Sequence, residues 1–159
     1  MFQYFNQNSL IILVFLIGLL IFFLPMRNVI YKVIFFSFSI LILLILKSLF
    51  MPSYENIGQK EIDRILFLEK PVLVEFYSDT WIGCILSEPF VKRVEKNFGY
   101  KIMILRIDAS SKSAPEYIEK FNFFATPSFI LLNSSGESLW RQDAGILNYK
   151  ALSKILEGL

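Results

Sequence analysis

The sequence predicts an α/β domain, a central mixed sheet with helices on both faces, preceded by an N-terminal transmembrane helical hairpin. Three observations predict it. All 14 acidic residues lie at or after Glu55, while the first 50 residues carry only Arg27, Lys32 and Lys47 as charged side chains, so the chain has two compositional halves. In the second half the apolar pattern switches repeatedly between helical spacing and short β-branched or aromatic runs. The resulting order is helix, strand, helix, strand, helix, strand, strand, helix. A crossover helix makes the first two strands parallel, and a tight turn makes the last two antiparallel.

The first half holds two apolar runs, Leu10 to Leu24 and Val29 to Met51, the second interrupted only by Lys32 and Lys47 near its ends. A membrane span needs roughly 20 such residues; the first run is short and the second is sufficient. Between them Pro25-Met26-Arg27-Asn28 supplies a helix breaker and polar groups, and the lysines can reach the interface. The N-terminus has no basic residue and no small-residue cleavage site follows the first run, which argues against a removable leader. The 55% apolar content and mean hydropathy of +0.53 agree with a membrane component. Residues 1–52 are therefore expected to be a membrane anchor and 53–159 a single domain. Arg27 and Lys32 after the first run favour a cytoplasmic loop with the domain on the opposite side, while Lys47, Lys60 and Arg64 pull the other way.

A polar linker, Met51 to Gln59, leads into the second half. Glu61 to Leu68 has helical spacing. Pro71 to Tyr77 reads as a buried strand, Cys84 to Phe98 as an amphipathic helix containing Pro89, and Lys101 to Ile107 as a second strand. Ser113-Ala-Pro115-Glu116 is a helix start, with proline early and an acid in the first turn. Ser128 to Leu132 and Glu137 to Arg141 form strands around the turn Asn133 to Gly136, and Asn148 can cap a last helix through Leu156.

Charge and cysteine content narrow the function. From Pro52 onward 13 basic residues face 14 acidic ones, so there is no basic surface for nucleic acid. Cys84 is the only cysteine and histidine is absent, which excludes an internal disulfide, the common transition-metal ligand sets and a Cys-His or Ser-His catalytic pair. No cofactor or metal is expected. Roughly 107 residues suffice for one cored domain.

The run Pro71-Val-Leu-Val-Glu-Phe-Tyr-Ser-Asp-Thr-Trp-Ile-Gly-Cys84, continuing to Pro89, resembles the thioredoxin family, and the resemblance extends over about residues 60 to 158. In that family a strand of the type VLVDFWA leads to W-C-G-P-C at a helix N-terminus, with a proline five residues after the second cysteine. Aligned without a gap, Thr80 falls on the motif tryptophan, Trp81 on the first cysteine, Ile82 and Gly83 on the middle pair, and Cys84 on the second cysteine. Thr126-Pro127 matches the family's cis-proline loop, Gly136 the hairpin glycine, and Gly145 the glycine before the last helix, with about two extra residues in the hairpin.

The resemblance implies a thioredoxin-like fold, and its departures imply what the domain lacks. The attacking thiolate position is Trp81, which has no nucleophile, and Cys84 holds the resolving position. Glu75 falls on the family's buried acid, and the strand position that offers it a lysine is Ile104, so its carboxylate is expected to be partly hydrated or held neutral by burial. Membrane-anchored relatives of bacterial inner membranes and thylakoids assist maturation and assembly, which implies membrane lipid, an extended segment of a partner protein and a membrane-protein complex as partners, with the domain on the periplasmic or lumenal side. Trp81, Thr126 and Pro127 would line the peptide site. The alternative is a monothiol oxidoreductase working through Cys84, which requires an exposed thiol of lowered pKa.

Overall fold

The computed structural model describes residues 9–23, 25, 28–50, 57–66 and 70–159. Residues 26 and 27 of the expected turn, 51–56 of the linker and Leu68 lie outside the described residues.

The strand richest in β-branched and aromatic residues, β1 (Val72–Tyr77), is buried along its whole length and holds an interior place in the sheet. It pairs parallel with β2 (Met103–Asp108) and antiparallel with β3 (Ser128–Leu132), and β3 pairs antiparallel with β4 (Ser138–Gln142), giving the order β2-β1-β3-β4. Successive β1 side chains point to opposite faces, which sorts the core into two layers. Val72, Val74 and Phe76 meet Leu105, Ile107, Ile130 and Leu132, covered by Ile62 of α3 (Gln59–Leu66) and Tyr117 of α5 (Ala114–Phe121). Leu73 joins Phe129 and Leu131 on the other face, under Val91 and Val94 of α4 (Ile82–Phe98) and Leu152 and Leu156 of α6 (Tyr149–Glu157). Each such aliphatic side chain, withdrawn from water, contributes about 1.5–3 kcal/mol.

The element ends follow local hydrogen bonding. Gly58 O accepts from Glu61 and Ile62 N–H, so α3 begins two residues before the expected start at Glu61. Trp81 O accepts from Cys84 and Ile85 N–H, which starts α4 at Ile82 rather than Cys84. Lys101 and Ile102 N–H both bond Phe98 O, finishing the helical turn and delaying β2 to Met103. Asn148 Oδ1 accepts from Ala151 N–H at 3.1 Å, capping α6 as its position before the apolar run suggests.

In the N-terminal half, two helices occupy the two apolar runs, α1 (Ser9–Phe23) and α2 (Val29–Phe50). Asn28 Oδ1 accepts from Ile30 N–H at 3.0 Å at the start of α2, Lys32 Nζ donates to Phe22 O at 2.7 Å, and Gly18 leaves room for the ring of Phe36. The described residues do not support the expectation of transmembrane helices: among them no helix is long and apolar enough to cross a membrane. Large apolar side chains on both helices are nevertheless exposed, Phe22, Phe23, Val29 and Tyr31 among them.

Candidate functional site

The site forms where β1 ends and α4 begins. Trp81, the residue before α4, has extended backbone (φ −96°, ψ 121°) and offers no side-chain cap to the helix. Its indole folds back over Gly83, and Nε1 occupies the space that a Cβ at residue 83 would need, while Pro127 Cδ would lie 3.2 Å from that Cβ. Gly83 is thus the close-approach point between the tryptophan and the Thr126-Pro127 loop, a place for a residue without a side chain. The Thr126–Pro127 peptide bond is cis.

Cys84 lies beneath this cover, 2% exposed, in a small cluster with Tyr77, Trp81 and Ile85. Its Sγ accepts a hydrogen bond from Ser78 N–H at 3.3 Å, and the Thr126 side chain also bonds it. Burial pushes the thiol far above its ordinary pKa, overcoming these hydrogen bonds, with the Glu75 charge adding to the rise. The arrangement favours a protonated sulfur packed as a small hydrophobe, not a thiolate. Glycine also appears in the loop before α6, where Gly145 has φ +87°. That loop is held by Gln142 Nε2, which donates to the carbonyls of Ala144, Gly145 and Ile146, and is tied to α4 by Leu147 N–H donating to Ser87 Oγ at 3.1 Å.

Below the motif, on the β1 face that carries Leu73 and Tyr77, sits Glu75. Of the two readings expected for it, burial holds and partial hydration does not, and a cation is present although residue 104 is isoleucine. The cation comes from Arg106, the direct register partner of Glu75 on β2, with Nε 3.1 Å from Glu75 Oε2. The approach lacks hydrogen-bond geometry at that oxygen, so the pair is held by charge at close range. Arg106 Nη1 also reaches Glu88 Oε2 at 3.1 Å, and Lys92 Nζ approaches Glu88 Oε1 at 3.6 Å. Glu75, Arg106 and Glu88 form a charged group buried between β1, β2 and α4. Burial raises the Glu75 carboxyl to about 7, with Arg106 opposing and Glu88 reinforcing. Neither Arg106 nor Glu88 was identified from sequence, yet both left a signal. Arg106 is the one charge inside the apolar KIMILRI strand. Glu88 falls on the inward stripe of Cys84, Val91 and Val94 at spacings of three and four.

The structure therefore brings Trp81, Gly83, Cys84, Thr126 and Pro127 together. Pro89 lies inside α4, where its missing N–H leaves the Ile85 carbonyl without the usual helical donor. Ile82, next to Trp81 in the chain, is 40% exposed, and Phe124, two residues before Thr126, is 60% exposed. Among the described residues no cluster of His, Cys, Asp or Glu could hold a metal ion.

No protein-family model matches the chain. It is 31% identical over 107 residues to chloroplastic thioredoxin X of Arabidopsis thaliana, covering 66% of this chain and 57% of that protein. With chloroplastic thioredoxin Y1 of the same plant it shares 30% over 98 residues, 61% of this chain and 55% of that protein. The chain thus spans a little over half the length of these curated relatives. Among solved structures, a thioredoxin mutant from Halobacterium salinarum superposes with a TM-score of 0.55 at 22% identity, over 65% of this chain and 86% of that one. Oxidised thioredoxin O2 from Arabidopsis thaliana gives 0.54 at 16% identity, over 64% and 89%. At these identities the structures speak for the fold alone.

Proposed function

From a domain that is thioredoxin-like in sequence and in fold, we propose a non-catalytic binding module held at a membrane by α1 and α2, which takes an extended segment of a membrane or translocated partner protein during its assembly or maturation. The observation that carries the reading is Trp81, which the family resemblance puts at the attacking position, lying over Gly83 beside the Pro127 loop and packed against the buried Cys84. Thiol–disulfide exchange needs a thiolate that attacks and a second thiol that releases the product. Trp81 cannot be the first, and the burial of Cys84 opposes a monothiol role. Binding needs neither. The exposed side chains of Ile82 and Phe124, with the half-buried indole of Trp81, offer rigid apolar contact area to an extended chain. Membrane placement is supported by the uncharged character of α1 and by apolar side chains exposed along both N-terminal helices, an amount of apolar surface that water covers poorly.

The test uses the full chain in lipid vesicles with Trp140→Phe, so that emission reports Trp81 alone. Titration with a reduced and alkylated, permanently unfolded polypeptide should give a saturable change in emission that Phe124→Asp weakens. Lack of a saturable response would contradict the binding role, and turnover of insulin disulfides by the wild-type chain with a dithiol reductant would contradict the non-catalytic one.

A further inference from the structure

The outer face of α4 has a pattern that the domain core does not explain. Cys84, Ser87, Glu88, Val91, Val94 and Phe98 face inward and are buried. On the opposite side Ile82, Leu86 and Phe90 follow one another at four-residue intervals and stay 40%, 50% and 38% exposed. A helix packed on one side of a water-soluble domain normally shows polar residues on the other. Next in sequence come Lys92, Arg93 and Lys96, all exposed, with Glu95 the one exposed acid among them. An apolar stripe with a cationic flank is the composition of helices that lie at a bilayer interface. The apolar helix α2 approaches α4 and itself exposes Phe35 and Phe38.

We infer that the Ile82-Leu86-Phe90 face of α4 contacts lipid and seats the domain on an anionic bilayer surface. The inference rests on the membrane placement of α1 and α2 proposed above, and it adds an orientation. The end of the domain that carries Trp81 and Pro127 would lie at the interface, so a partner segment would arrive from the membrane and not from free solution. The approach of the apolar helix α2 to α4 favours lipid over a protein partner as the occupant, and the basic flank of α4 matches anionic headgroups.

Environment-sensitive fluorophores on Leu86→Cys, Phe38→Cys and Ser135→Cys, each in the full chain in phosphatidylcholine–phosphatidylglycerol vesicles, read the three positions separately. Cys84 is buried and should stay unlabelled in the folded chain, which the wild-type protein checks. Lipid-attached nitroxide should quench the Leu86 and Phe38 labels several-fold more than the label at Ser135, in the exposed β3–β4 turn. Quenching at Phe38 without quenching at Leu86 would overturn the orientation and leave the membrane tether standing. Failure to quench either would remove the tether and the orientation with it. A blue-shifted Leu86 label that lipid nitroxide does not quench would mean that protein covers the face, a second copy included, and would overturn the lipid assignment.

Discussion

Two levels of one contact, between β1 and α4, differ in chemistry. At the upper level Trp81, Gly83, Cys84 and Pro127 meet with apolar surfaces, and the one sulfur is sealed. Below it, where Glu88 follows Cys84 by four residues on α4, Glu75, Arg106 and Glu88 place three ionisable groups out of water. The upper level covers a single buried thiol with an indole and the cis-proline loop. The lower level holds a carboxyl that burial raises to about 7. The difference teaches that two adjoining levels of one interface can be held by different means, apolar packing above and buried charge below.

Breaking the lower level should have the larger effect. Arg106→Leu leaves Glu75 and Glu88 buried without their shared cation, and the loss of one partner of a buried ion group costs about 3–5 kcal/mol. Denaturant unfolding of the full chain in detergent should show a correspondingly lower midpoint, with stability partly regained at acid pH as Glu75 takes up its proton. An unchanged midpoint would show that the packing alone holds this level.

The same level predicts a pH dependence of definite sign. The Glu75 carboxyl is raised from 4.5 in the unfolded chain to about 7 in the folded one. Between these values the folded state binds more protons than the unfolded state, so stability is fully present below the lower value and falls as pH rises through the upper. The loss from this group is on the order of 3 kcal/mol. Glu75→Gln should flatten the profile across that window. A wild-type profile that rises with pH there would mean that the ion pair with Arg106 outweighs burial.

At the upper level the expected changes are smaller. Gly83→Ala places a Cβ in the space of the indole and close to Pro127, so Trp81 must move; overpacking of this kind costs about 1–3 kcal/mol, at the low end where a side chain can yield. Trp81 emission, read with Trp140→Phe, should shift to the red as the ring leaves its cover. Retention of the wild-type spectrum would show that the indole does not seal the site.

The two levels were unequally legible in the sequence. The upper one lies in a single stretch, Pro71 to Pro89, plus the Thr126-Pro127 pair, and local pattern sufficed to align it. The lower one depends on register. Nothing in KIMILRI says which of its residues faces Glu75, and the parallel pairing that sets Arg106 opposite it arises only when the crossover helix has packed. Glu88 is readable from helical spacing, but a charged side chain there gives no sign by itself that it is buried. Asn148 was legible because a capping side chain acts within its own turn. In the N-terminal half, composition located both helices, while hydropathy along the sequence favoured spans that the described helices do not provide.

The central claim, that Trp81 stands where an attacking cysteine would and faces Cys84 across one helical turn, is tested most directly by Trp81→Cys. Two cysteines separated by two residues at the start of α4 should meet the geometric limits for a disulfide without large backbone movement. Oxidation of the folded variant should protect both thiols from alkylation as an intramolecular bond, with weak reductase activity at most. Free, alkylatable thiols in the oxidised, folded variant would contradict the account, because residue 81 would then not hold the attacking position.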